Sequence, residues 1–166
     1  MNNNLTIVTG LWDIGRNGRP FDHYIQHLNN FLDIDANLFL YIPKELEDIV
    51  WTKRLKENTY VKIYELEDIK NMYRPFWDKT QEIRTKPEWF NQAGWLSQSP
   101  QASLEWYNPI VQSKMFLLND VTIWNPFNTE HFIWLDAGIT NTVYEKYFTE
   151  NNVLNKLTPY LDSFLF

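Results

Sequence analysis

Two short β-rich runs separated by a stretch of helical period constrain this chain more than any other feature, because strands joined through a helix are normally parallel neighbours in one sheet. Leu5 to Thr9 ends at Gly10, and Leu38 to Ile42 is stopped by Pro43. Between them, Pro20 to Leu32 sets Phe21, Tyr24, Ile25, Leu28, Phe31 and Leu32 at helical spacing, which predicts a crossover helix packed on the sheet. Tyr60 to Tyr64 is a third strand of the same kind. Lys44 to Lys56 reads as a helix of mixed charge, and Glu67 to Ile83 as a helix that Pro75 breaks or kinks. Lys86 to Trp106 mixes Trp89, Trp95 and Trp106 with Gly, Ser, Gln and Pro without a sustained period, and is expected as a long irregular insertion. The 166 residues suit a single domain, 1–166, able to bury roughly 70% of its unfolded surface. The expected class is α/β, an open and mostly parallel sheet flanked by helices.

The chemistry concentrates between Tyr107 and Val143. Phe132-Ile133-Trp134-Leu135 is an apolar run that stops at one carboxylate, Asp136. A buried strand that delivers an acid to its carboxyl end is how open α/β sheets build nucleotide and metal sites, because that edge carries the loops and the helix N-termini. Upstream, Asn108-Pro109 reads as an N-cap followed by a first-turn proline, starting a helix that runs to Leu118 or so. At about 100° per residue, Ile110, Val111, Met115, Leu117 and Leu118 share a broad face, with Lys114 near its middle. A lysine so placed snorkels along its stem, pairs with an acid, or sits beside a bound phosphate, since desolvating the ammonium alone costs several kcal/mol.

The loop after the first strand carries Gly10, Gly15 and Gly18, with Asp13 and Arg16 between them. Its glycines permit turns closed to other residues. It matches neither the Gly-x-Gly-x-x-Gly dinucleotide fingerprint nor a P-loop. An ordinary surface loop with an ion pair and the wall of a nucleotide pocket are both open for it.

Several segments resemble the bacterial HtrL/YibB family: Ile7-Val8-Thr9-Gly10-Leu11-Trp12-Asp13-Ile14-Gly15-Arg16, Tyr107 to Asn119, Trp124-Asn125-Pro126-Phe127-Asn128, and Trp134-Leu135-Asp136-Ala137-Gly138-Ile139-Thr140-Asn141. The likeness spans most of the chain in order. It implies a setting among lipopolysaccharide-core and other surface-glycan functions, and similarity to glycosyltransferases of the GT-A fold. In such enzymes a strand ends in an Asp-x-Asp motif that holds a divalent metal and the sugar-nucleotide diphosphate. This chain has Asp136-Ala137-Gly138, so Asp136 is the only counterpart of the motif's acids. The resemblance therefore implies a nucleotide-sugar donor, a glycan acceptor and Mn2+ or Mg2+, with Asp136 binding the metal or the ribose. It further implies that Thr9, Gly10, Asp13 and Arg16 line the nucleotide pocket. Lys114 or Arg16 would offset phosphate charge, and Asn141 would hydrogen-bond donor or acceptor.

Composition narrows the partners. A net charge of −6 and the lack of a dense Lys/Arg block argue against nonspecific nucleic-acid binding, which depends on neutralising phosphates. There are no cysteines, so disulfides and thiolate zinc sites are impossible, and a cytoplasmic location is expected. Met1-Asn2-Asn3-Asn4 lacks a charged leader, and nowhere do about 18 apolar residues run together, so neither signal peptide nor membrane span is expected. Aromatic residues make up 17% of the chain; those of the insertion either stack on sugar rings or cover the sheet, the second being the commoner use. His23 and His27 stand four apart, but no third ligand accompanies them, so an exposed pair is expected rather than a metal site.

Leu161 to Phe166 reads as the start of another strand, which would leave the fold short of its C-terminal part and favour self-association through an apolar end. Two function classes compete on these grounds. One is a glycosyltransferase of surface-glycan or lipopolysaccharide-core synthesis. The other is a noncatalytic nucleotide-sugar or glycan-binding module, or a structural scaffold, consistent with Gly138 in place of the second acid.

Overall fold

A computed structural model describes residues 4–72, 74–143 and 158–160. Strands β1 (Leu5–Gly10), β2 (Asn37–Ile42), β3 (Thr59–Ile63) and β4 (His131–Trp134) form one all-parallel sheet in the order β3, β2, β1, β4. Ile7 of β1 faces Leu38 on one side and Ile133 on the other. The helices are α1 (Phe21–Phe31), α2 (Glu47–Trp51), α3 (Leu66–Met72), α4 (Arg74–Arg84), α5 (Pro87–Phe90), α6 (Pro100–Ser103) and α7 (Tyr107–Trp124). This is the parallel open α/β sheet that the strand and helix periods predict, and its layout is consistent with a GT-A-like arrangement.

Both faces of the sheet are covered, as parallel sheets require. Alternation along β1 and β2 divides the core. Leu5, Ile7, Leu38, Leu40 and Ile42 point toward Leu28 and Phe31 of α1 and Leu32 just after it. Val8, Phe39 and Tyr41 point the other way, toward Ile69 of α3 and Leu117 and Val121 of α7. Apart from Gly10 and Asn37, β1 and β2 are buried on both faces, and β4 is only half-buried because, among the described residues, it pairs with β1 alone. It is an edge strand here, not the buried strand that its apolar run suggests.

The structure adjusts several expectations. The Lys44 to Lys56 segment is a 3-10 turn, Lys44–Leu46, leading into the short α2. Pro75, where a break or kink is expected, is the second residue of α4, and Tyr73 between α3 and α4 lies outside the described residues. The insertion is not irregular throughout: Pro87 and Pro100 each occupy a first helical turn, Ser99 Oγ accepts from Ala102 N, and these start α5 and α6. Helix α7 begins one residue before Asn108, whose side chain donates to the Gln101 carbonyl at 2.9 Å instead of capping. Its buried stripe is Pro109, Ser113, Leu117 and Val121, four apart, while Val111 and Met115 are exposed. Leu117 and Val121 of this stripe pack against the sheet, and Tyr41 donates its phenol to the Leu117 carbonyl at 3.2 Å.

Helix α7 ends where Asn125 turns left-handed at φ 43. The same side chain accepts from Thr129 N and donates to Thr129 O, both at 2.9 Å, which fixes the turn that feeds β4. Residues 161–166, the expected further strand, lie outside the described residues.

Candidate functional site

From β1 the chain proceeds to β2 and β3 on one side, while β4 lies on the other. The strand order therefore reverses between β1 and β4, and the crevice outside their carboxyl ends is where open α/β sheets take ligands. A cavity of about 340 Å³ lies there, between the loop after β1, the first turns of α7 and the turn after β4.

Lys114 and Asp136 meet in this cavity, Nζ to Oδ1 at 2.6 Å. The same Oδ1 accepts from the Trp134 indole N–H at 2.8 Å. The extended chain just past β4 explains the second bond, because side chains two apart along it project to the same side. Leu135 N donates to Val8 O at 3.0 Å and Ile139 N to Asp136 O at 2.9 Å, so pairing with β1 holds the chain up to Asp136 and a tight turn follows. The Lys114 side chain is 27% exposed and that of Asp136 57%. Such a screened pair contributes at most about 1 kcal/mol to folding.

Arg16 reaches the cavity from the loop after β1. Its guanidinium donates to Tyr24 Oη at 3.1 Å and lies 5.9 Å from the centre of the Tyr107 ring. Asp13 Oδ1 accepts from Gly15 N at 2.9 Å, an Asx turn that shapes this loop around Gly15 at φ 67. Gly10, Asp13, Arg16, Lys114, Asp136 and Asn141 all line the cavity. Thr9 does not: it is fully buried in β1, and its hydroxyl has no hydrogen-bond partner among the described residues.

Three participants escape sequence reasoning. Arg19 lines the cavity, as do Tyr24 and Tyr107. A signal for Arg19 existed in its spacing from Arg16 across Gly18; none existed for the tyrosines, which come from two helices. The insertion's tryptophans stay outside the cavity, with Trp106 packed on Trp77 at 4.3 Å between ring centres and Trp95 exposed.

His23 and His27 are in edge contact at 4.6 Å, and His27 Nδ1 is 2.8 Å from Thr140 Oγ1. Burial lowers the His27 imidazole below its ordinary value, and the neighbouring His23 adds to the shift. No group of three His, Cys, Asp or Glu side chains converges on a metal position among the described residues. As a metal ligand Asp136 stands nearly alone, and its Oδ1 already faces an ammonium and an indole N–H. The described donors do not by themselves suit Mn2+ or Mg2+. At Gly138, where the motif would carry its second acid, an added Cβ would rest in ordinary contact with Tyr24 Cδ1 at 3.7 Å.

No helix among the described residues is long and apolar enough to cross a membrane. A family model described as a bacterial protein of unknown function, HtrL_YibB, matches residues 3–160. No curated protein and no solved structure matches the chain.

Proposed function

The chain belongs to the HtrL_YibB family, whose function its description leaves open, and we propose, following what its resemblance to GT-A enzymes implies, that it is a glycosyltransferase of surface-glycan synthesis using a nucleotide-sugar donor. The observation that carries this reading is the Lys114 to Asp136 pair at the strand-order reversal, in a cavity that Arg16 and Arg19 also line. An exposed ion pair that stabilises the fold so little is free to exchange its carboxylate for a phosphate. Backbone turns and cations at such a crevice are the usual means of holding a diphosphate.

In transfer, an acceptor hydroxyl oxygen bonds to the anomeric carbon as that carbon's bond to the diphosphate breaks. The electron pair leaves with the diphosphate, and the hydroxyl proton is released. Lys114, Arg16 and Arg19 would offset the charge gained by the leaving group, a preorganised electrostatic role. Asp136 would orient Lys114 and receive the ribose hydroxyls, and Asn141 would bond the donor sugar or acceptor. In this reading phosphate charge is met by side chains rather than by a metal, so a strict manganese requirement would sink that part of it.

The test is thermal unfolding with UDP, GDP, CDP and their sugars, with and without manganese, on the natural chain, Asp136→Asn and Lys114→Met. One nucleotide is expected to raise the melting temperature by roughly 5–10 °C at about a hundredfold its dissociation constant. Both variants should melt within a few degrees of the natural chain and lose most of that rise. Binding without transfer or hydrolysis would favour a noncatalytic module, and no rise with any nucleotide would favour a scaffold.

A further inference from the structure

A second cavity, of about 430 Å³, opens on the outer side of the loop that follows β1. Arg16 and Arg19 wall both cavities. Across from them stand Ser97, Gln98 and Ser103 of the insertion. The volume falls within the roughly 300–1,000 Å³ of small-molecule sites.

The two arginines are held together by one turn. Arg19 N donates to Arg16 O at 3.3 Å, and Gly18 at the third position has φ 75, as a type II turn demands. Their side chains therefore leave the two ends of a single backbone turn. Tyr24 and Tyr107 hold Arg16, whereas Arg19 is exposed. Neither has a carboxylate partner among the described residues, and no Asp or Glu walls the second cavity. On a chain of net charge −6 this is a local excess of cation facing hydroxyl and amide groups.

We propose that this second cavity is the acceptor subsite and that it takes a saccharide carrying an anionic substituent, a phosphate or a carboxylate. The substituent bridges Arg16 and Arg19, whose planar donors suit either group. Ser97 and Gln98 donate to and accept from the sugar hydroxyls, and Ser103, whose hydroxyl donates to the Ser99 carbonyl at 3.0 Å, accepts from one. The shared wall of arginines sets the acceptor beside the diphosphate, where transfer needs it. The acceptor role rests on the nucleotide-sugar reading of the first cavity; affinity for an anionic sugar does not.

The experiment is calorimetric titration of the full chain with glucose 6-phosphate, glucuronate and glucose, each with and without UDP, on the natural chain and Gln98→Glu. Gln98 lines only the second cavity, is exposed, and its side chain makes no hydrogen bond among the described residues, so the near-isosteric charge tests recognition and not folding. Both anionic sugars are expected to bind about tenfold more tightly than glucose, through charge-assisted hydrogen bonds. Gln98→Glu should weaken the anionic sugars by about fivefold at low salt and leave glucose and UDP unchanged. Equal affinity for all three sugars, or no binding, would overturn the proposal. So would anionic-sugar binding that competes with UDP and ignores Gln98→Glu, which would put the anion in the first cavity. Anionic-sugar binding that responds to Gln98→Glu in a chain that takes no nucleotide would uphold the anionic site and remove the donor reading.

Discussion

Gly10 closes β1 with the Trp12 ring folded against it. A Cβ at this position would stand 2.6 Å from Trp12 Cζ3 and 3.1 Å from the Tyr41 carbonyl. Trp12 has little room to yield, because it is 6% exposed and its indole N–H donates to the Tyr64 carbonyl at 2.7 Å. The glycine is thus required by close packing and not by its dihedral angles. Gly10→Ala should cost about 1–3 kcal/mol, the usual penalty of overpacking, measured by urea denaturation. Because Gly10 and Trp12 both line the first cavity, the same variant should weaken nucleotide binding. Gly18 contrasts with it: an added Cβ would meet nothing within 4 Å, yet φ 75 disfavours any other residue.

At the scale of elements, Arg54 ties the end of α1 to the start of β3. Its guanidinium, 9% exposed, donates to the carbonyls of Leu32, Ile34 and Ala36 and to Thr59 Oγ1. Carbonyls left over at a helix end need such donors, and a cation there also suits the helix dipole. Burial lowers the guanidinium below its ordinary value, with Asp35 and Asp33 opposing the shift. A lysine ammonium cannot span these acceptors in one plane. Arg54→Lys is expected to lose about 3 kcal/mol, as buried carbonyls go unpaired, and a chemical denaturation curve with an unchanged midpoint would refute the clamp. The periods of β1, α1 and β2 announced the elements so joined. Nothing in the sequence set Arg54 apart from other basic residues near a helix end, because its carbonyl acceptors Leu32, Ile34 and Ala36 lie about twenty residues upstream.

For the molecule as a whole, the contact between α1 and the 3-10 turn at Ile139–Asn141 joins the first half of the chain to the segment that bears Asp136 and Asn141. His27 makes that contact: the Thr140 hydroxyl donates to the His27 carbonyl at 3.3 Å and stands 2.8 Å from Nδ1, from which it can then only accept. Its imidazole is held below the ordinary 6.5 by burial first and by His23 second. The unfolded chain therefore takes up the proton before the folded one. Stability is fully present above pH 6.5, falls as pH drops through the interval below that value, and levels off under the folded pKa. His27→Gln should flatten this part of a stability profile measured between pH 7 and pH 5, and an unaltered slope would count against it.

The sequence by itself determined the parallel α/β sheet, since alternation and helical period each follow from neighbours along the chain. It also determined where the acid falls, because an apolar run that ends in Asp136 can point only one way along its strand. Only the tertiary structure decided that Lys114 meets Asp136, that Thr9 is buried while Arg19 reaches the cavity, and that β4 lies beside β1. Lys114 had three destinations open to it on its helix face. Strand order selected among them, because placing β4 next to β1 brings its carboxyl end under the first turns of α7, and strand order is a long-range property that no local period encodes.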